Sequence, residues 1–319
     1  PDFWRPPPGA GGPLRARVQL AVGLPSGVER IPGLRLVNFT MFEAARVPPA
    51  WLGSNLRHDL VVVPTESSRR AWLEAGMPEE RLALCPLGVD PPRPRPPLVL
   101  IDDRGRRAAD RSVRFLNVSD LSVRKNLGGL LRVWLRATRD SDDAALVLKV
   151  GKGHDGDRAL FLKILRHVEG QVGRTAGQAA PLFVMTGRYP DETIAQLHGS
   201  CTHYISLSFG EGWDLPMTQA GASGLALIAP AHSAYLEYLD DSTATLLPAR
   251  RCPATDIDGS PCIGFSGLDW WRPDEDAAIL AVRAAVAGEL PPKSARSRLL
   301  GEFSWDRATA RLLAVLDSA

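Results

Sequence analysis

The hydrophobic positions of this chain fall into two regimes. In the amino-terminal part, short apolar runs at residues 18–22, 34–39, 60–63 and 82–84 predict strands. Between the last two, Ser67-Ser68-Arg69-Arg70-Ala71-Trp72-Leu73-Glu74-Ala75-Gly76 predicts a short helix, with a Ser/Thr start signal and Gly76 as a stop. A Pro-rich stretch at 91–97 and a charged one at 102–111 read as a linker. Its arginines suit a solvated connector first, and attraction to phosphate or a membrane surface second. Beyond residue 112 the pattern becomes regular. Apolar runs at 113–118, 144–150, 181–186, 204–207 and 225–229 alternate with helical spacing. Leu127, Leu130, Leu131, Trp134 and Leu135 form one helical face. Leu160, Leu162, Ile164, Leu165 and Val168 suggest a second helix, Ile194 and Leu197 a third after Asp191, and residues 305–316 a last one carrying Leu312, Leu313 and Leu316. Strands alternating with helices imply right-handed crossovers and a parallel sheet, an α/β fold.

At 319 residues there is enough chain for two cores. The expected division is an amino-terminal domain over 1–95, a linker over 96–111, a second domain over 112–302 and a terminal helix over 303–319 that packs back toward the first. A net charge of +2 gives no case for nucleic acid. No apolar run approaches the ~20 residues of a membrane span, which leaves at most peripheral membrane contact. Cys85 and Cys201 adjoin apolar runs and read as buried thiols. Cys252 and Cys262 share one loop, with no His nearby to complete a metal site. No metal and no cofactor are expected. No signal peptide is visible, and a reducing, cytoplasmic setting is the default.

Two constellations carry chemistry. In Asn117-Val118-Ser119-Asp120-Leu121-Ser122-Val123-Arg124-Lys125-Asn126-Leu127 a strand ends and two cations open a helix. Cations there oppose the helix dipole by roughly 0.3–1 kcal/mol each, a conflict that a bound anion removes. Arg's fork and Lys's point charge suit a diphosphate; the alternative is a surface pairing with Asp120. The second constellation is Gly210-Glu211-Gly212-Trp213-Asp214-Leu215-Pro216, a glycine-flanked acidic loop between a strand and a helix start. Open α/β sheets bind ligands at such strand ends. Glu211 suits sugar hydroxyls, or else it caps the helix. Gln219 lies about two turns into that helix and either meets a diol or is solvated.

These two motifs, with Thr186-Gly187-Arg188-Tyr189-Pro190-Asp191-Glu192, resemble the carboxyl-terminal domain of retaining GT-B glycosyltransferases of the group 1 (GT4-like) family. Met41-Phe42-Glu43-Ala44-Ala45-Arg46-Val47-Pro48, Val63-Pro64-Thr65-Glu66-Ser67 and Pro86-Leu87-Gly88-Val89-Asp90 also resemble it. The resemblance runs from about residue 34 to the end. It implies two Rossmann-like domains with parallel sheets facing a cleft, the second holding a UDP- or GDP-linked sugar donor. Lys125 and Arg124 would then neutralise the donor diphosphate, and Glu211 would contact the transferred sugar. The backbone from Gly210 and Gly212 through Trp213, Asp214 and Leu215 would line the pocket. Gln219 would stand at the ribose, Arg188 near the base or ribose edge, and Glu43 would face the cleft toward acceptor or sugar. The acceptor, whether glycan, lipid or protein, is not named by the resemblance.

No Asp-x-Asp pair lies in a suitable loop, which fits metal-independent transfer. Gln219 stands where the family usually carries a second Glu, and Asp120 where many members carry a basic residue. The family's first strand and glycine-rich turn should precede Val18, and residues 1–13 do not match them, so the amino-terminal domain is expected to be incomplete. Beside transfer, two other readings stand: a weak or inactive nucleotide-sugar-binding protein, and a GT-B sugar-nucleotide epimerase, which the Arg124-Lys125 and Glu211 arrangement disfavours. His232 follows the last strand and either meets the donor or caps a loop. His58, His154, His167, His198 and His203 lack metal-ligand spacing. Trp270-Trp271-Arg272-Pro273-Asp274 reads as a packed turn ahead of a helix at 275–286.

Overall fold

The computed structural model describes residues 17–256 and 259–318, so the expectation about residues 1–13 lies outside the described residues. The apolar runs build two parallel sheets. In the first, β1 (Val18–Val22), β2 (Arg35–Phe39), β3 (Leu60–Val63) and β4 (Leu82–Leu84) follow one another in chain order. Val37, Val61, Val62 and Val63 are fully enclosed, as strands covered on both faces require. Helices α1 (Pro49–Asn55) and α2 (Glu66–Glu74) connect this sheet. Thr65 starts α2, its hydroxyl accepting from the Ser68 amide at 3.1 Å.

Six strands form the second sheet: β5 (Val113–Ser119), β6 (Ala144–Val150), β7 (Leu182–Thr186), β8 (His203–Ile205), β9 (Ala226–Pro230) and β10 (Thr245–Leu247). Their order is β10-β9-β8-β5-β6-β7, all parallel. The chain starts at the centre, runs outward to β7, then returns to the other side of β5. Helices α3 (Leu127–Ala137), α4 (Asp157–Val172), α5 (Asp191–Ser200), α6 (Leu215–Ala222) and the single turn α7 (Tyr235–Tyr238) form its crossovers. Loops leaving β5 and β8 therefore diverge at the topological switch point, where such sheets bind ligands. Helices α8 (Glu275–Val286), α9 (Arg296–Glu302) and α10 (Trp305–Ser318) complete the chain. α10 leaves the second sheet and packs Leu312, Val315 and Leu316 against Val37, Phe39 and Cys85 of the first lobe. No helix among the described residues is long and apolar enough to cross a membrane.

One element differs from its sequence reading. Residues 270–273 form a strand rather than a turn: β12 (Asp269–Pro273) pairs antiparallel with β11 (Ala249–Pro253). The partner sequence Ala-Arg-Arg-Cys-Pro has no apolar alternation, so periodicity is blind to it. This hairpin joins the lobes: Trp270, Leu268 and Phe265 share a core with Phe42 and Trp72. All four cysteines are free thiols; Cys85 and Cys201 are buried, and Cys252 and Cys262 half-buried.

Candidate functional site

Asn126 sets the first half of the site. It adopts a left-handed conformation (φ 51°) and its side chain accepts from the Gly129 amide at 3.1 Å, capping α3. Its amide group donates to the Leu207 carbonyl at 2.9 Å, tying the β5–α3 loop to the β8–α6 loop. Arg124 and Lys125 thus occupy a 3₁₀ turn just ahead of α3, rather than its first helical turn. The second half comes from residues 206–214. Ser208 accepts the Gly210 amide on its hydroxyl oxygen at 3.4 Å and donates to the Arg124 carbonyl at 3.1 Å, and the Phe209 amide donates to that same carbonyl.

Glu211 is buried where the two loops meet. Lys125 Nζ lies 2.6 Å from its Oε1 and Arg124 Nη1 2.9 Å from its Oε2. Arg124 also donates to the Gly210 carbonyl, and its Nη2 stands 3.6 Å from Glu43 Oε1 of the first lobe. The cations do not pair with Asp120, which accepts from Ser122 and faces Lys152 Nζ at 3.4 Å. Burial raises the Glu211 pKa, but Arg124 and Lys125 outweigh it and hold the carboxyl below its usual range. Arg124 and Lys125 are both shifted upward, burial being overcome by the surrounding carboxylates. Asp214 behaves oppositely. Burial, with Glu211 adding to it and Lys125 opposing, pushes its carboxyl up to about 6. Tyr235 donates to its Oδ2 at 2.8 Å, and Oδ1 has no partner.

The remaining predicted site residues divide. Arg188 and Gln219 line a common cavity of about 670 Å³ together with Lys149, Val118 and the stretch from Asp90 to Arg95. Lys149 is a lining cation that periodicity does not flag; it is next to last in β6, donates to the Gly151 carbonyl at 2.8 Å, and a lysine in an otherwise apolar strand is the only signal. Trp213 sends its ring into the core, 5.0 Å from Tyr238 and 5.7 Å from Phe303, so only its backbone faces the site loop. Leu215 is partly exposed on α6. Gly210 and Gly212 allow the lobes to touch. A Cβ on Gly210 would lie 2.4 Å from the Glu43 carbonyl oxygen, and one on Gly212 2.7 Å from the Met41 side chain. His232 is structural: its ring stacks on Trp271 at 5.3 Å, and Nε2 lies 2.8 Å from the Ser208 carbonyl. Among the described residues, no three His, Cys, Asp or Glu side chains converge as a metal site.

A central strand flanked by diverging loops, facing a second parallel sheet across a seam, is an architecture with solved counterparts. The chain is similar to Anabaena HepE in complex with UDP and glucose (TM-score 0.62, 14% identity, covering 90% of this chain and 72% of that one). It is similar to S. aureus TarM (0.62, 11%, 93% and 54%). It also resembles a Burkholderia xenovorans α,α-trehalose-phosphate synthase in complex with glucose-6-phosphate (0.62, 14%, 89% and 69%). The fold is GT-B. No protein-family model matches the chain, and no curated protein matches it in sequence. A further Anabaena HepE structure holds UDP-glucose. In GT-B terms, Arg124, Lys125 and Glu211 sit on the carboxyl-terminal lobe at its switch point, and Glu43 faces them from the amino-terminal lobe.

Proposed function

We propose that the chain is a retaining, metal-independent glycosyltransferase of the GT4-like group, moving a hexose from a UDP- or GDP-linked donor in the cytoplasm. The second lobe takes the donor and the first lobe the acceptor. The convergence of Arg124, Lys125 and Glu211 at the switch point carries this reading. The diphosphate takes its hydrogen bonds from Arg124 and Lys125 at the amino terminus of α3. As the glycosidic bond breaks, charge grows on the departing phosphate, and fixed cations stabilise it without reorganisation. The sugar gains oxocarbenium character. Glu211 accepts from its hydroxyls, and the acceptor attacks from the face the phosphate leaves, passing its proton to that phosphate. Arg188 and Gln219 hold the nucleoside.

One observation favours a second reading, a nucleotide-sugar-binding protein without turnover. Glu211 and Glu43 already balance the two cations, and Gln219 is neutral. Calorimetric titration with UDP and GDP, followed by slow hydrolysis of UDP- and GDP-hexoses monitored by NMR, separates the readings. Transfer predicts nucleotide binding and early release of the sugar with its anomeric configuration retained. Binding without hydrolysis supports the second reading, and absence of binding removes both.

A further inference from the structure

A second cavity, of about 840 Å³, opens on the amino-terminal lobe. The carboxyl ends of β1 and β2 form one wall, α10 another, and the loop after β11 closes it through Phe265. Phe39, Met41, Phe42, Trp51 and Leu312 are among the apolar side chains that line it. The side chains about its mouth are apolar and exposed: Val22 is 76% exposed, Leu24 65% and Trp305 40%. Among its described lining residues no lysine, arginine or histidine stands, and Glu43 is the one charged group. This size, with apolar walls and few polar groups, is that of a small-molecule site.

Glu43 gives the cavity its direction. Its carboxylate stands 3.6 Å from Arg124, so the polar end of the apolar chamber adjoins the donor cluster. We propose that this chamber takes the acceptor, and that the acceptor is an uncharged alcohol with a bulky apolar body. This rests on the donor reading above. The apolar body fills the chamber and the hydroxyl donates to Glu43. In the reaction the hydroxyl oxygen bonds to the anomeric carbon and the bond from that carbon to the phosphate oxygen breaks. The nucleoside diphosphate leaves with the bonding pair, and the hydroxyl proton passes to its terminal phosphate. A phosphorylated acceptor is disfavoured, because its charge would be desolvated among apolar walls, and the cation beside Glu43, Arg124, is already paired with Glu211 and Glu43.

The test compares n-octyl β-D-glucopyranoside with methyl β-D-glucopyranoside, which offer the same hydroxyls and differ in the apolar body. Each is titrated by calorimetry below micelle-forming concentration, with UDP and GDP each titrated into parallel samples. The octyl glycoside is expected to bind at least tenfold more tightly. Thr309→Trp, which fills the chamber, and Leu312→Glu, which charges it, should each weaken octyl binding at least tenfold, with folding checked by circular dichroism. UDP binding without octyl preference, or octyl preference unmoved by both variants, overturns the acceptor inference alone. Octyl preference without UDP or GDP binding overturns the donor reading and the acceptor role with it.

Discussion

Glu211 is a buried carboxylate gripped by two cations that a diphosphate also needs. Removing one partner of such a cluster leaves charge without compensation, a larger effect than the net worth of the pair. Lys125→Ala is therefore expected to weaken UDP or GDP affinity at least tenfold, about 1.4 kcal/mol; unchanged affinity by calorimetry would remove the phosphate role. Glu211→Gln keeps the shape but gives up the charge that occupies both cations, so nucleotide affinity should hold or rise while transfer drops sharply. An equal loss of both would make Glu211 structural. Asp214 supplies a pH handle. With its carboxyl raised to about 6, it is anionic at pH 7.5 and takes up a proton as pH falls through 6. That proton removes a negative charge beside Lys125. Asp214→Asn, neutral throughout, should bind UDP more tightly than the wild type at pH 7.5, with the gap closing by pH 5.5. Titration of UDP itself affects both proteins alike and cancels.

At the scale of elements, the site depends on how closely the β8–α6 loop approaches the first lobe. Gly210→Ala would place a Cβ 2.4 Å from the Glu43 carbonyl oxygen, against backbone that has no flexible end to yield. A cost of about 1–3 kcal/mol is expected, with weaker nucleotide binding because Arg124 donates to the adjoining Gly210 carbonyl. Gly53, inside α1 with open space around its Cβ position, is the control. Gly53→Ala should raise stability by about 0.5–1 kcal/mol in urea unfolding. If both substitutions stabilise, the lobes are not held at this contact. Much of this was legible in the chain. Residues 60–63 and 144–148 are continuous apolar runs because their strands are covered on both faces, and Asp274 caps a helix whose limits, 275–286, the spacing already shows. The strand order was not legible. Periodicity says which residues are strands, never which strands are neighbours, so the meeting of Arg124 with Glu211 across 87 positions rested on resemblance. Nor was the β11–β12 hairpin, whose Arg250 and Arg251 face outward and hide the strand.

The whole molecule carries an acid sensitivity built from its burial of imidazoles. His198, on α5, and His232, between β9 and α7, are each lowered to about 4 by burial. Their unfolded-state pKa is near 6.5, so between pH 6.5 and 4 the unfolded chain binds protons that the folded one refuses. The stability their neutral rings contribute is whole above pH 6.5 and is lost as pH falls toward 4, on the order of 3 kcal/mol for each. Depressed carboxyls such as Glu211 act in the same direction, because their ion pairs are lost on protonation. Asp214 acts against it, gaining stability as it takes its proton. His198 isolates the imidazole contribution: its Nε2 is buried without a partner, and burial alone accounts for its shift. His198→Leu should leave a hydrophobic side chain of similar size with nothing left to protonate. Urea midpoints measured at pH 7 and pH 4.5 should therefore fall less in the variant than in the wild type. Equal falls would place the acid sensitivity elsewhere, in His232 or in depressed carboxyls such as Glu211.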